Sequence, residues 1–178
     1  MRILGLSFGF HDAGACMLQD NTIEFAGHSE RYSKEKNDPW INHDLINAAI
    51  EKGLPDVIVL HEKAWAKRMR NLYAGNWRAL REPTQRQWIK KFYPQLAGIP
   101  IKDYWHHETH AGAGALSSEF DECAVMVIDA IGEFDCASIW QWKDNNLKKI
   151  HSVKFPSSLG LFYSAVTHHV GLKPMEDE

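Results

Sequence analysis

The feature that most constrains the fold of this 178-residue chain is an internal repeat of one strand pattern. Residues 3–27 and 125–152 each predict a strand, a polar turn that contains glycine, a second strand, an Asp-Asn turn and a third strand. The two Asp-Asn turns are Asp20-Asn21 and Asp144-Asn145. Each copy is therefore predicted to form a three-stranded meander, and the repeat indicates a duplicated unit.

Helical and strand patterns connect the two meanders. Polar residues 29–37 predict a loop, apolar residues at helical spacing predict a helix over 41–50, and the apolar run 57–60 predicts a buried strand. A short strand over 99–105 and a helix over 107–118 precede the second meander, and a helix over 158–169 follows it. This order predicts an α/β fold with a mixed sheet.

Charge and cysteine content exclude several classes of protein. Twenty Lys and Arg residues against 23 Asp and Glu give a net charge of -3, which argues against a nucleic-acid partner. Cys16, Cys123 and Cys136 lie far apart without C-x-x-C spacing, as is typical of a reduced cytoplasmic protein. No apolar run approaches the roughly 20 residues that span a bilayer. We expect a cytoplasmic location and no membrane partner.

A basic segment follows the first half of the sequence. Residues 63–91 contain nine basic residues and one acidic residue, Glu82, with four aromatic side chains among them. Such a pattern can mark a surface for single-stranded nucleic acid. The rest of the chain has 11 basic and 22 acidic residues. The interpretation favoured is a solvated helical insertion over about 63–96, broken near Pro83, which covers a partner lobe.

Two histidines at a predicted helix start form the clearest candidate metal site. His106 and His110 are spaced i, i+4, so their imidazoles project from the same face of a helix. A catalytic centre normally has three protein ligands, and Asp129, which ends the first strand of the second meander, is the best third candidate. The alternative is a pair of histidines satisfied by hydrogen bonds. His107 is interpreted as structural.

Two polar segments of the first meander are candidate ligand sites. The loop over 8–14 places His11 and Asp12 among glycines, which let a backbone approach a ligand, so an anion or substrate site is one interpretation and an ordinary hairpin turn is the other. Arg31 and Lys36 lie beyond the third strand and could pair with phosphate or carboxylate groups. Without other information, these two cations are typical of solvated surface.

The second meander has a counterpart of this loop at residues 129–133. Here Gly132 and Glu133, together with Ser138 on the next strand, are candidates for contact with a nucleotide phosphate. Two facing units that each offer a hairpin loop to phosphates are the layout of the actin-like ATPases, so the duplicated pattern favours that superfamily by analogy.

Six ordered motifs run through nearly the whole chain. They are Ile3-Leu4-Gly5-Leu6-Ser7, His11-Asp12, Glu30-Arg31 with Lys36, His106-His107 with His110-Ala111, Asp129 with Gly132-Glu133, and Ser158-Leu159-Gly160 with Tyr163-Ser164 and Thr167. In this order the motifs resemble the O-carbamoyltransferases of antibiotic and nodulation-factor biosynthesis.

The resemblance implies a Kae1-like domain with the duplicated actin-like ATPase fold, which is ribonuclease H-like. Residues 1–121 are expected to form the complete first lobe, with the basic insertion, and residues 122–178 the start of an incomplete second lobe. The rest of the second lobe and a YrdC-like domain are then expected from the same gene or from a separate chain. We expect the 178-residue chain to be inactive alone, and a homo-oligomer is compatible with this expectation.

In the family that the chain resembles, carbamoyl phosphate and ATP form carbamoyl adenylate in the YrdC-like domain. The Kae1-like domain then transfers the carbamoyl group to a hydroxyl of a small-molecule acceptor. The resemblance implies that a divalent metal, Fe(II), is bound by His106, His110 and Asp129. It also implies that His11 and Lys36 contact the carbamoyl adenylate or assist transfer.

Two alternatives stay open. Threonylcarbamoyl transfer to a tRNA adenosine also uses an H-x-x-x-H motif, and a tRNA would suit the basic segment. In a different class, the chain could be a catalytically silent nucleotide-binding or metal-binding subunit that needs a partner.

Overall fold

The computed structural model describes residues 1–174 and 177. The chain forms two compact units. The first contains Met1–Ala64 and Asn76–Tyr104, and the second contains Trp65–Gly75 and the chain from Trp105 onward. None of the helices in the described part of the chain is both long and apolar enough to cross a membrane.

A five-stranded mixed sheet forms the centre of the first unit. Its strands are β1 (Arg2–Ser7), β2 (Gly14–Gln19), β3 (Thr22–His28), β4 (Val57–Leu60) and β5 (Ile101–Asp103). The order is β3-β2-β1-β4-β5, in which β1 is antiparallel to β2 and parallel to β4. The predicted mixed-sheet α/β fold is thereby confirmed.

The core of the first unit follows the period-2 alternation of the strands. In β1, Leu4 and Leu6 are buried while their neighbours are half-buried. Helix α2 (His43–Ala49) begins where the Asn42 side chain accepts a hydrogen bond from the Leu45 N–H. One face of this helix, with Leu45 and Ile46, joins the same core.

The segment predicted as loop over 29–37 contains a helical turn, α1 (Glu30–Ser33), so that prediction is wrong for four residues. Charge dominates this stretch, and no apolar periodicity marks the turn. Lys34 ends it with a φ of 63°, in the left-handed region.

The basic segment divides between the units. Most of helix α3 (Ala64–Tyr73) belongs to the second unit, whereas α4 (Gln85–Phe92) belongs to the first. Ile89 of α4 and the following Tyr93 are buried in the core, and the Tyr93 hydroxyl donates a hydrogen bond of 2.5 Å to the Ile41 carbonyl. One face of α4 therefore packs on the core, whereas Lys90 and Lys91 on the rest of its surface are exposed, as the charges predicted.

The second unit contains a three-stranded antiparallel sheet of β6 (Cys123–Gly132), β7 (Asp135–Lys143) and β8 (Asn146–Lys154). Asp144 and Asn145 join β7 to β8 with φ values of 52° and 56°. Asp20 and Asn21 join β2 to β3 with φ values of 47° and 69°. Positive φ at both central residues is the signature of a type I′ turn, so both predicted meanders end in the same hairpin geometry.

Two helices pack on the second sheet. Helix α5 (His106–Leu116) buries Ala111 against Val127 and Trp140, and α6 (Leu159–His169) packs mainly on β6. Strand β6 is irregular near its end, because Ile128 pairs with Ala137 while Gly132 pairs with Asp135. Three residues of β6 thus face a single residue of β7. This bulge bends the strand where Asp129 lies.

Candidate metal centre

Three side chains converge at the point where α5 begins and β6 bulges. The Nε2 atoms of His106 and His110 lie 3.1 Å apart, and Asp129 Oδ2 lies 2.9 Å from His106 Nε2. One ligand atom from each of the three residues falls within 4.8 Å of the other two. The structure therefore brings together the three residues predicted from sequence as metal ligands.

The start of α5 positions the two histidines. Their i, i+4 spacing puts both rings on one face of the helix, as predicted. Glu133 is buried and accepts the backbone N–H of His106, at 3.1 and 3.3 Å for its two carboxylate oxygens. Gly132 lies against the same turn, since a Cβ there would come 2.7 Å from His106 Cδ2 and 2.9 Å from His107 Cδ2. A side chain at position 132 would push the helix start away from β6.

The backbone of Asp129 is held from the other side by α6. The Ser158 hydroxyl donates a 2.6 Å hydrogen bond to the Ala130 carbonyl and accepts the Leu161 N–H as a helix cap. A Cβ on Gly160 would lie 2.6 Å from the Ala130 nitrogen and 2.7 Å from the Asp129 carbonyl oxygen. The absence of a side chain at Gly160 thus lets α6 approach the bulge closely.

Electrostatics favour a charged Asp129 and a neutral His110. The hydrogen bond with His106 outweighs partial burial and lowers the pKa of Asp129 to about 2. The pKa of His110 is lowered, first because its ring is partly withdrawn from water and second because His106 lies beside it. An ionised carboxylate and neutral imidazoles are the protonation states in which these side chains bind metal ions.

The chemistry of this donor set fits a metal ion. Each of the three side chains can present a lone pair toward the same small volume, and a single proton cannot bridge three acceptors. A divalent cation can accept all three, and two imidazoles with one carboxylate are a donor set that suits Fe(II) and Zn²⁺.

His107 lies behind this cluster and is buried. Its Nδ1 lies 2.8 Å from the Ser138 hydroxyl, which also accepts a 2.7 Å hydrogen bond from Trp140 Nε1. Burial lowers the pKa of His107. The structure thus places Ser138 in the interior with two polar partners. Its predicted contact with a nucleotide stays a prediction, as do those of Gly132 and Glu133.

The other predicted site residues belong to the first unit. His11 and Asp12 lie in the β1–β2 loop, where His11 Nδ1 is 2.8 Å from Asp12 Oδ2, and Asp12 has a φ of 47°. Arg31 is exposed on α1 and lies 3.7 Å from the Glu30 carboxylate. Lys36 is exposed in the turn beyond α1. The exposed His11 and Lys36 are accessible to a ligand of the first unit.

Sequence reasoning did not assign positioning roles to Ser158, Gly160 or Trp140. Ser158 has a signal, because a serine just before an apolar helix is a typical N-cap. The close contact of Gly160 with Ala130 has no local signal, since the two residues are 30 positions apart in the sequence. Trp140 carried only the apolar pattern of a buried strand.

The family model described as the N-terminus of carbamoyltransferases matches residues 59–178, more than half of the chain. The chain belongs to the carbamoyltransferase family, as the ordered motifs predicted.

Two relatives match almost the whole chain. An uncharacterized protein of Synechocystis sp. is 33% identical over 197 aligned positions, which cover 96% of this chain and 32% of the relative. An uncharacterized protein of Methanocaldococcus jannaschii is 27% identical over 176 positions, which cover 99% of this chain and 31% of the relative. The chain spans about a third of the length of these curated relatives.

Proposed function

We propose that this chain provides the metal-binding, carbamoyl-transferring part of a carbamoyltransferase. In this proposal, the carbamoyl group passes from carbamoyl adenylate to a hydroxyl of a small-molecule acceptor: the hydroxyl oxygen bonds to the carbamoyl carbon, the bond from that carbon to the phosphate oxygen breaks, and AMP leaves. The observation that carries the proposal is the convergence of His106, His110 and Asp129 in a chain whose family is that of carbamoyltransferases.

The proposed metal is Fe(II), bound by His106 and His110 through Nε2 and by Asp129 through its carboxylate. The two-imidazole, one-carboxylate donor set supports this choice. When bound, such an ion supplies Lewis acidity toward a carbonyl or phosphate oxygen of the carbamoyl donor. Three protein ligands leave coordination positions for that donor.

The proposed roles in the first unit follow from charge and proton chemistry. His11 holds or accepts the proton of the acceptor hydroxyl, and Asp12, 2.8 Å from its Nδ1, orients the ring. Lys36 and Arg31 offset the charge of the adenylate phosphate. We further propose that Gly132, Glu133 and Ser138 border the nucleotide.

The proposed architecture is the Kae1-like, actin-like duplication, with lobes at residues 1–121 and 122–178. Two meanders with the same strand order and the same Asp-Asn type I′ turn support it. In this proposal, a YrdC-like domain, in the same or a separate cytoplasmic chain, makes carbamoyl adenylate from carbamoyl phosphate and ATP. The greater length of the relatives supports a contribution from further domains.

The proposal is tested by calorimetric titration, first with Fe(II) under anaerobic conditions and then with a sulfamoyl analogue of carbamoyl adenylate. The wild type is expected to bind one Fe(II) ion and then the analogue. His110→Ala is expected to lose more than about 100-fold in metal affinity, since loss of a ligand exceeds the 10–100-fold typical of supporting residues.

The matched control is His169→Ala, which removes an exposed histidine from α6 of the same unit. It is expected to bind metal like the wild type. Equal Fe(II) affinity in His110→Ala and wild type would contradict the metal centre. Failure of the Fe(II)-loaded wild type to bind the analogue would contradict the carbamoyl donor instead.

A further inference from the structure

Three buried side chains are joined by hydrogen bonds between the core of the second unit and the metal cluster. The bonds run from Trp140 on β7 through Ser138 on the same strand to His107 on α5. These three residues are nearly inaccessible to solvent, with exposures of 4%, 2% and 1%. A buried polar group destabilises the fold unless it is hydrogen-bonded. The direction of each hydrogen bond therefore shows which polar atoms are satisfied.

The proton positions follow from the chemistry of the donors. The indole Nε1–H of Trp140 can only donate, so the Ser138 oxygen is its acceptor at 2.7 Å. A hydroxyl can accept two bonds, but among the described residues this one has no other acceptor within hydrogen-bond distance, so it donates its own proton to His107 Nδ1, at 2.8 Å. A neutral imidazole that accepts at Nδ1 carries its proton on Nε2. The chain of bonds therefore selects the Nε2–H tautomer of His107.

The Nε2 atom of His107 points toward the metal cluster. It lies 4.0 Å from Asp129 Oδ2, is buried, and has no hydrogen-bond partner among the residues that the structure describes. An unsatisfied buried N–H costs about 1–3 kcal/mol, and an apolar side chain at this core position would avoid that cost. A function for the N–H explains why the core contains it.

We propose that His107 is a positioning residue for the metal centre, whose Nε2–H orients the Asp129 carboxylate and whose tautomer is fixed by Ser138 and Trp140. This inference rests on the proposed function, because it assigns a supporting residue to the same metal centre. At 4.0 Å the N–H acts on the Asp129 carboxylate as a dipole and not through a hydrogen bond. Loss of a group that supports a metal ligand typically weakens metal affinity about 10–100-fold.

The first test reads the tautomer directly, in metal-free protein. Nitrogen-15 NMR of the histidine side chains distinguishes a protonated from an unprotonated ring nitrogen, and the His107 signals are identified by their loss in His107→Gln. We expect Nε2–H in the wild type and a shift toward mixed tautomers in Ser138→Ala. The matched control is Ser152→Ala, at the residue that pairs with Ser138 on β8. An Nδ1–H tautomer in the wild type would overturn the proposal.

The second test measures Co²⁺ affinity by visible absorption in a competition titration. His107→Leu keeps the volume but removes the donor, and we expect about 10–100-fold weaker binding. His107→Gln restores an N–H donor near the same position, so we expect affinity within about threefold of the wild type. Ser138→Ala, which leaves the ring in place, serves if both His107 variants fail to fold, with an expected loss of about tenfold.

The outcomes separate this inference from the proposed function. If the wild type binds no Co²⁺, both the metal centre and the role of His107 are overturned. If the wild type binds Co²⁺ and folded His107→Leu or Ser138→Ala binds it equally well, only the role of His107 is overturned. Weaker binding in His107→Leu, with rescue in His107→Gln, supports it.

Discussion

Asp129 is the residue at which most of the local constraints in the second unit meet. Its carboxylate contacts His106, its Oδ1 accepts the Ala130 N–H at 2.6 Å, and its backbone is approached by Gly160. Each constraint comes from a different element or from the bulge itself. The position of this side chain is therefore sensitive to changes in α5, α6 and β6 alike.

The charge of Asp129 makes the metal-free protein sensitive to acid. Its folded-state pKa of about 2 lies below the ordinary value of 3.8, so its contribution to stability is present above pH 3.8 and is lost as the pH falls through about 2. Between about pH 5 and about pH 2 we expect the wild type to lose about 2 kcal/mol more unfolding free energy than Asp129→Asn. Urea unfolding at each pH measures the unfolding free energy of both proteins. The same pH dependence in wild type and Asp129→Asn would contradict the prediction.

At this scale, part of the site could be predicted from sequence. The spacing of His106 and His110 is a local property of a helix, so the sequence predicted their approach. The approach of Asp129 depends on a bulge that shifts the strand register after Ile128. Strand β6 was predicted to end at Asp129, but in the structure it continues to Gly132. The prediction stopped short because the bulged residues show no apolar alternation.

Helix α6 packs closely on the bulge of β6 because Gly160 has no side chain. Gly160→Ala would gain helix propensity, about 1 kcal/mol, but its Cβ would clash with the backbone of Ala130. Because backbone cannot yield as a flexible side chain can, we expect a net loss of about 1–3 kcal/mol in unfolding free energy. Chemical denaturation of the two proteins measures the difference.

The matched control is Gly112→Ala in α5, where a Cβ would have nothing within 4 Å. This variant is expected to be more stable than the wild type by about 0.5–1 kcal/mol. If Gly160→Ala and Gly112→Ala change the unfolding free energy by the same amount and in the same direction, the prediction from the close contact of α6 with the bulge is wrong.

Tyr93, which follows α4, makes the first unit sensitive to base. Burial, and then the charge of Asp38, raises its pKa to about 12 from 10.0. The stability that this group contributes is present below pH 10 and is lost as the pH rises through about 12. Between pH 10 and pH 12 we expect the unfolding free energy of the wild type to fall by about 2 kcal/mol more than that of Tyr93→Phe. Denaturant unfolding monitored by fluorescence measures both free energies. Equal losses in wild type and Tyr93→Phe would contradict the burial of the phenol.

The buried face of α4 was not predicted from the sequence, although its exposed basic residues were. Nine basic residues over 63–91 favour a solvated interpretation, yet Ile89, Tyr93 and Leu96 are buried. The helical spacing of these apolar residues is hard to recognise in the sequence, because charged and polar residues lie between them. The meanders were easier to predict, because alternation and an Asp-Asn turn are both local signals.

On the scale of the whole molecule, the exposed apolar side chains of the second unit predict association. Leu159, Phe162, Tyr163 and Val170 are each more than half exposed on or just beyond α6. Leu159, Phe162 and Tyr163 are spaced i, i+3, i+4 and so share one face of the helix, and an exposed apolar face favours contact with another surface. We expect sedimentation velocity to show concentration-dependent association that Phe162→Ser reduces. A monomer at every concentration, with no effect of the substitution, would contradict this prediction.

The chain passes between the two compact units three times, after Ala64, after Gly75 and after Tyr104. No single cut in the gene therefore separates one unit from the other. A fragment that starts at Trp105 would encode β6 to β8 with α5 and α6 but would lose Trp65 of α3, whose ring meets that of Trp105 at 5.8 Å. Modular exchange of the second unit between relatives must accordingly carry two separate stretches of coding sequence, which restricts how such units can be recombined.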